Sequence, residues 1–295
     1  MKDLCYIAQK RLEAKCCFGE SKAKYKVVAK QIAAEKGTKD WLPIFNELIR
    51  NKIFSFSSYK TYKKQAALFF KYIENAHPNI RNINGAKRYI PEYICKFDSA
   101  WTQATKLAAL AKVYGVASTD LMKLSRRKRE DIYKNRFSTK REEAIDYEKN
   151  KEIIDFCLHT GLRRFELEHI RGKNLIKSNN NYYIRIKGKG GKIRDVPVTD
   201  TDIIHKLKTT PKDQLVFGKV NSHLPIHKYR AAYATELYKK LARPIEQIPL
   251  KERYYCHLDR VGDVFDKRAM AIVSKNLGHN RLSVIAGHYL RATKI

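Results

Sequence analysis

The sequence predicts a mainly α chain with a small β-hairpin or sheet, an α+β class arranged in two domains. Three observations predict it. The 295 residues suit one large domain or two, at roughly 100–200 residues per domain. Apolar residues recur at helical spacing through most of the first half. Two short alternating stretches, 181–187 and 193–198, flank a glycine-rich turn. A hydrophobic content of 43%, with 11% aromatics, is enough for a packed core and argues against disorder.

Residues 1–36 read as a helical, basic extension in which Ala29, Ile32, Ala33 and Ala34 sit among lysines. Gly37 breaks that pattern. Trp41, Ile44, Phe45, Leu48 and Ile49 then recur at helical spacing, and Pro43 fits there only in a first turn. Ser57 or Ser58 is the expected N-cap of the next helix. Its apolar stripe is Tyr59, Tyr62, Ala66, Phe69, Phe70 and Ile73, and His77-Pro78-Asn79 ends it. Helices follow at about 85–96 and 100–116. Residues 123–141 carry nine Lys and Arg with little apolar period, so they read as a basic interdomain linker. A helix is expected at about 148–159. The 181–187 and 193–198 strands form a hairpin turned by Gly188, Gly190 and Gly191. Helices at about 226–241, 267–277 and 281–291 complete the chain. The expected domains are an extension at 1–36, a helical domain at 37–122, the linker at 123–141 and a second domain at 142–295.

Charge points to the partner. The chain has 61 Lys and Arg against 30 Asp and Glu, a net +31. Such a surplus repels itself unless a polyanion is present, and nucleic acid is the commonest one. The surplus is spread evenly, +15 over residues 1–148 and +16 over 149–295. A basic tail or a juxtamembrane cluster would not divide in this way. The longest run without Asp, Glu, Lys or Arg is Leu282–Leu290, too short to span a bilayer. The N-terminus shows no apolar export core. A cytoplasmic, nucleoid-associated protein with no membrane partner is expected. The six cysteines match no zinc spacing, Cys256-His257 included, so reduced thiols and no metal are expected.

Four islands in the second half carry chemistry: Thr160-Gly161-Leu162-Arg163-Arg164-Phe165-Glu166-Leu167; Gly188-Lys189-Gly190-Gly191-Lys192-Ile193-Arg194-Asp195-Val196-Pro197; His227-Lys228-Tyr229-Arg230-Ala231-Ala232-Tyr233-Ala234-Thr235; and Leu277-Gly278-His279 with Tyr289 downstream. Taken singly, each has a plain structural reading. Together they hold what a phosphodiester transesterification needs. Two arginines clamp non-bridging oxygens and neutralise charge growing on the phosphate. A tyrosine hydroxyl serves as nucleophile. Histidines move its proton or hydrogen-bond the phosphate, and a lysine protonates the leaving alkoxide. No carboxylate cluster suited to Mg²⁺ accompanies them.

These islands resemble the tyrosine recombinase (phage integrase) family, whose pattern is Thr-Gly-Leu-Arg-x-x-Glu-Leu, Gly-Lys-Gly-x-Lys-x-Arg-x-x-Pro, His-x-Leu-Arg, then Leu-Gly-His and a tyrosine. The match covers about 148–291. The resemblance implies an N-terminal helical core-binding domain plus a C-terminal tyrosine-recombinase catalytic domain. It implies Arg163 and Arg230 as the arginine clamp, Lys189 as general acid for the 5′-oxygen and His227 as the aid to proton transfer at the tyrosine. It further implies His279 on the scissile phosphate, Tyr289 as nucleophile, and Glu166 as the supporting acid. Arg164 reads as a structural contact, and Lys192 as the lesser candidate for the hairpin role. DNA-backbone contacts are expected from Arg126, Arg127, Lys128 and Arg129 of the linker and from Lys187, Lys192 and Arg194 of the hairpin.

The sequence departs from the family in four places. The step from His279 to Tyr289 is one residue longer than usual, which leaves His288 in the customary tyrosine register. The span from Arg230 to His279 is about double the common one, with the excess near 243–268. Ala231-Ala232 replaces the usual polar pair. Only six residues follow Tyr289 in this sequence, too few for a long exchanged helix.

The expected activity is site-specific strand exchange on double-stranded DNA at recombination sites. It would run through a 3′-phosphotyrosine and a Holliday junction in a homotetramer, without cofactor, metal or ATP, and with room for an accessory directionality factor. Telomere resolvase or type IB topoisomerase chemistry, and a catalytically inactive DNA-binding regulator, are the alternatives. An architectural protein explained by charge alone does not account for the ordered motifs.

Overall fold

The computed structural model describes residues 3–125, 145–188, 191–257 and 260–290. The chain divides into two compact units, Met1–Ile132 and Tyr133–Ile295. The basic cluster Arg126–Arg129 and the hairpin Lys189 lie outside the described residues.

The first unit is helical. Its elements are α1 (Leu4–Glu13), α2 (Lys22–Glu35), α3 (Leu42–Ile49), α4 (Phe56–Ala76), α5 (Ile83–Ala86), a 3₁₀ turn (Lys87–Tyr89), α6 (Ile90–Cys95) and α7 (Ala100–Tyr114). Side-chain oxygens of Asp3, Ser21 and Ser55 accept backbone N–H groups at the starts of α1, α2 and α4. The α4 cap is therefore Ser55 rather than Ser57 or Ser58, and the Ser58 N–H donates to its hydroxyl at 3.1 Å. Pro43 lies in the first turn of α3, where its missing N–H is no loss. The helix expected at 85–96 is instead two short helices around a 3₁₀ turn, with Pro91 in the first turn of α6.

Leu4, Ala8 and Leu12 of α1 pack with Phe69, Phe70 and Ile73 of α4 and with Leu107 and Leu110 of α7. Each such large side chain contributes about 1.5–3 kcal/mol on burial. So α1, at the head of the basic N-terminal stretch, is part of this unit's core. The helix α2 packs on α3, and only Ala29 and Ala33 of it are buried.

The second unit holds α8 (Tyr147–Thr160), α9 (Arg164–His169), β1 (Leu175–Ser178), β2 (Asn181–Lys187), β3 (Ile193–Val198), α10 (Thr201–Thr209) and α11 (Ile226–Leu241). Then come β4 (Arg253–Tyr255), β5 (Val264–Asp266), α12 (Lys267–Asn276) and α13 (Leu282–His288). Strands β1, β2 and β3 form an antiparallel sheet in that order, and β4 pairs with β5. Asn179 and Asn180 both take positive φ, as the tight turn from β1 to β2 requires.

Ile184 and Ile186 of β2 and Val196 and Val198 of β3 face one core, together with Phe156 of α8 and Leu207 of α10. A second cluster joins Ala234 of α11, Met270 and Val273 of α12, and Ile285 of α13. The candidates Arg163, Glu166, Lys187, Lys192 and Arg194 are carried on or beside elements packed in the first cluster, and His227, Arg230, His279 and Tyr289 on or beside those of the second.

Candidate active site

Two helix ends deliver two of the motifs. At the end of α8, Gly161 takes φ +59° and its N–H donates to the Cys157 carbonyl at 2.8 Å. A Cβ there would lie 2.3 Å from Cδ1 of Tyr233, so only glycine admits that ring. The turn it makes buries Leu162 and sets Arg163 as the N-cap of α9. At the end of α12, the Gly278 N–H donates to the Lys275 carbonyl at 2.9 Å and the His279 N–H to the Ser274 carbonyl at 2.8 Å. This is a Schellman closure with glycine in the left-handed region, and it projects His279 from a fixed backbone. The Thr-Gly-Leu-Arg and Leu-Gly-His motifs thus both end a helix on a left-handed glycine, the first through a single bond and the second through a Schellman pair.

Glu166, in the first turn of α9, organises the first half of the site. Its carboxylate accepts the Arg163 N–H at 2.8 Å and Arg163 Nη1 at 2.9 Å. It also accepts Arg194 Nη1 at 2.9 Å and Nη2 at 2.7 Å, a two-pronged pair. Burial alone would raise the carboxyl pKa. The hydrogen bonds and charge of Arg194, followed by those of Arg163, outweigh it and hold the group at about 2. Arg194 also donates from Nε to the Asn276 carbonyl at 2.8 Å. It thereby caps a terminal carbonyl of α12 and ties β3 to that helix. The Arg163 side chain keeps 24% exposure, whereas that of Arg194 keeps 8%. The former can meet a ligand while the latter holds the carboxylate.

The second half centres on Arg230, which is fully buried on α11. Its Nε donates to the Tyr289 hydroxyl at 3.1 Å. Its Nη1 donates to the Gly161 carbonyl, and its Nη2 donates to the Leu277 carbonyl at 2.5 Å. Arg230 therefore joins the two glycine-capped helix ends to the tyrosine. Nη2 also lies 3.4 Å from His279 Nε2, and that same nitrogen is 3.1 Å from the Tyr289 hydroxyl. A guanidinium can only donate, so Nε2 is assigned as acceptor and the neutral ring carries its proton on Nδ1. Burial first, then the charges of Arg230, Arg163 and Arg194, lowers the His279 pKa to about 4. The Tyr289 O–H thus donates to a neutral imidazole while its oxygen accepts from Arg230.

Tyr289 directly follows α13 and is buried, and its N–H donates to the Ile285 carbonyl at 3.0 Å. Its hydroxyl lies on Arg230 and His279. His227 lies one turn before Arg230 on α11 and is exposed.

Lys187 and Lys192 are exposed at the turn end of the hairpin, where the Gly188 N–H donates to the Lys192 carbonyl at 2.7 Å. A Cβ on Gly188 would stand 3.1 Å from Arg194 Nη1, so the start of the turn abuts the Glu166 network. Arg164 turns away and donates to the carbonyls of Asn221 and Leu224 at 2.6 Å, fixing the loop before α11. A cleft of about 900 Å³ is lined by Arg163, Lys192, Arg194, Asn276 and His279, among others.

Sequence reasoning missed the joining role of Arg194. The signal was present: Arg194 shares strand parity with Val196 and Val198, and it pairs with buried Ile186. It missed Asn276, and it placed Tyr233 in the third island without a role. Asn276 accepts from Arg194 through its backbone carbonyl, which has no sequence signature, and its side-chain amide donates to the Tyr233 hydroxyl at 3.4 Å. Tyr233 matters as the ring that occupies the space left by Gly161.

No family model and no curated protein matches this chain. Among solved structures, it is similar to the XerH site-specific recombinase bound to a palindromic difH substrate in a post-cleavage complex. The TM-score is 0.51 at 15% identity, over 99% of this chain and 92% of that one. The XerH pre-cleavage complex gives 0.51 at 16% identity, over 98% and 93%. The Tn1549 transposon integrase in complex with transposon right-end DNA gives 0.42 at 12%, over 91% and 95%. The chain shares the α+β fold of the XerH recombinase. No helix among the described residues is long and apolar enough to cross a membrane.

Proposed function

We propose that this protein is a site-specific DNA recombinase that cleaves and rejoins double-stranded DNA through a 3′-phosphotyrosine formed on Tyr289. The carrying observation is the Tyr289 hydroxyl, 3.1 Å from both Arg230 Nε and His279 Nε2. The net +31 and the XerH site-specific recombinase neighbours, whose structures are complexes with a difH substrate before and after cleavage, support the partner.

In the proposed reaction the Tyr289 oxygen attacks the phosphorus and its proton passes to neutral His279. The bond from phosphorus to the 5′-oxygen breaks, and Lys189 protonates that leaving oxygen. Arg163 and Arg230 carry the charge that grows on the non-bridging oxygens, a contribution of several kcal/mol in such sites. Glu166 and Arg194 hold Arg163 in place. His227, one turn from Arg230, assists at the tyrosine. The adduct keeps the phosphodiester energy, so the free 5′-hydroxyl of another strand reverses the step without ATP. Strand exchange in this manner takes four protomers on two duplexes. The linker residues Arg126, Arg127, Lys128 and Arg129, with Lys187 and Lys192, supply salt-sensitive backbone contacts.

The test is incubation with a nicked duplex carrying a sequence that the protein itself selects from a random pool. Wild type traps a covalent protein–DNA band and Tyr289→Phe traps none. A band of equal yield from the phenylalanine variant sinks the assignment.

A further inference from the structure

The segment between α11 and α12, whose excess length had no assigned role, is folded and anchored. Arg243, just after α11, pairs with Asp266 at 2.8 Å and with Glu252 at 2.6 Å. The Asp266 N–H donates to the Tyr238 hydroxyl at 2.8 Å. These contacts fix the base of the β4–β5 hairpin. Near its tip, Arg260 is held by Asp263, with Nε to Oδ2 at 2.5 Å, and its guanidinium lies 5.2 Å from the Phe265 ring. Its Nη1 donates to the carbonyls of Ala286 and Leu290, the latter at 2.9 Å. Those two carbonyls bracket Tyr289 at the end of α13, where carbonyls lack helical partners and a cation is favoured. The Arg260 side chain is 12% exposed, so the contact is shielded from solvent.

We infer that Arg260 is a positioning residue: the β4–β5 hairpin clamps the tyrosine-bearing segment within its own chain and sets where the Tyr289 hydroxyl stands. The inference rests on the recombinase reading only for its effect on the reaction. The clamp accommodates the one-residue longer step to Tyr289, because a guanidinium that reaches both sides of the residue fixes the backbone there irrespective of helical register.

The test compares wild type, Arg260→Ala and Arg260→Lys as full-length chains. Hydrogen exchange in peptide 282–290 should rise about tenfold or more in the alanine variant, the scale of losing one or two hydrogen bonds. Peptide 147–160 of α8 should be unchanged. Unaltered exchange at 282–290, or loss of protection spread evenly over the second unit, overturns the clamp whatever the protein does with DNA. On saturating nicked duplex, the alanine variant should form adduct roughly 10–100-fold more slowly, since small misplacements at a reacting centre cost that much. The lysine variant should be intermediate, and the DNA dissociation constant should stay within about twofold by the same positional argument. A defect confined to DNA affinity overturns the positioning role. If exchange responds as expected while wild type gives no adduct, the clamp stands and the recombinase reading fails.

Discussion

Replacing Glu166 by glutamine keeps the shape of the side chain and removes its charge. Glu166 is 4% exposed and its carboxylate sits between two guanidiniums, 2.9 Å from Arg163 and 2.7–2.9 Å from Arg194. Glutamine would leave Arg163 and Arg194 facing a neutral amide whose own N–H groups point at donors. The magnitude follows from linkage. A carboxyl lowered from 4.5 to about 2 contributes roughly 3 kcal/mol at neutral pH, at 1.36 kcal/mol per pKa unit. Removing one partner of a buried pair costs about 3–5 kcal/mol, in agreement. Because the folded pKa is depressed, this stability is present above pH 4.5 and is lost as pH falls from there toward 2. Urea unfolding of the full chain measures it. Both tryptophans, Trp41 and Trp101, lie in the first unit, so their fluorescence reports that unit while circular dichroism also reports the second. The second transition should drop by roughly 3 kcal/mol at pH 7, and the difference from wild type should shrink below pH 4.5, as the linkage requires. The tryptophan transition should not move. A loss at pH 7 under about 0.5 kcal/mol, the scale of an ordinary surface change, would refute the central place given to this network.

Other predictions concern the same site. In the DNA-free protein, the His279 ring should titrate near pH 4 by NMR, its signal identified by loss in His279→Gln; a midpoint near 6.5 contradicts the described environment. Its lowered pKa means that its share of stability is full above pH 6.5 and is lost as pH falls toward 4. Gly161→Ala should cost at least about 2 kcal/mol, from the left-handed backbone and the Tyr233 ring together; a thermal midpoint equal to wild type would deny that close approach. Arg230→Lys should lower adduct formation at least about 100-fold, because one ammonium cannot span two carbonyls and a hydroxyl; activity near wild type would show that the guanidinium geometry is not used.

Much of the fold was legible because its signals are local. The α11 helix and the β2 and β3 strands have the extents that periodicity and alternation imply. The break within 85–96 was not, because one proline in a first turn and one 3₁₀ turn leave the apolar period nearly intact. Strands of three or four residues, such as β4, β5 and β1, are too short to show alternation. At the site, the motif residues carried their own signal, but their partners did not. Arg230 is held by the carbonyls of Gly161 and Leu277, and Arg260 grips those of Ala286 and Leu290. Backbone acceptors are invisible in a side-chain pattern. Arg194 read as a DNA contact from its charge, whereas strand parity turns it inward onto Glu166.

The residue that carries the phosphate decides the proposed chemistry. Wild-type protein is incubated with nicked duplex, digested with protease, and the DNA-linked peptide is sequenced by mass spectrometry. The expected product is a 3′-phosphate linked to Tyr289. A link to His288 or to a 5′-phosphate, or no link on DNA that the protein binds, would contradict it.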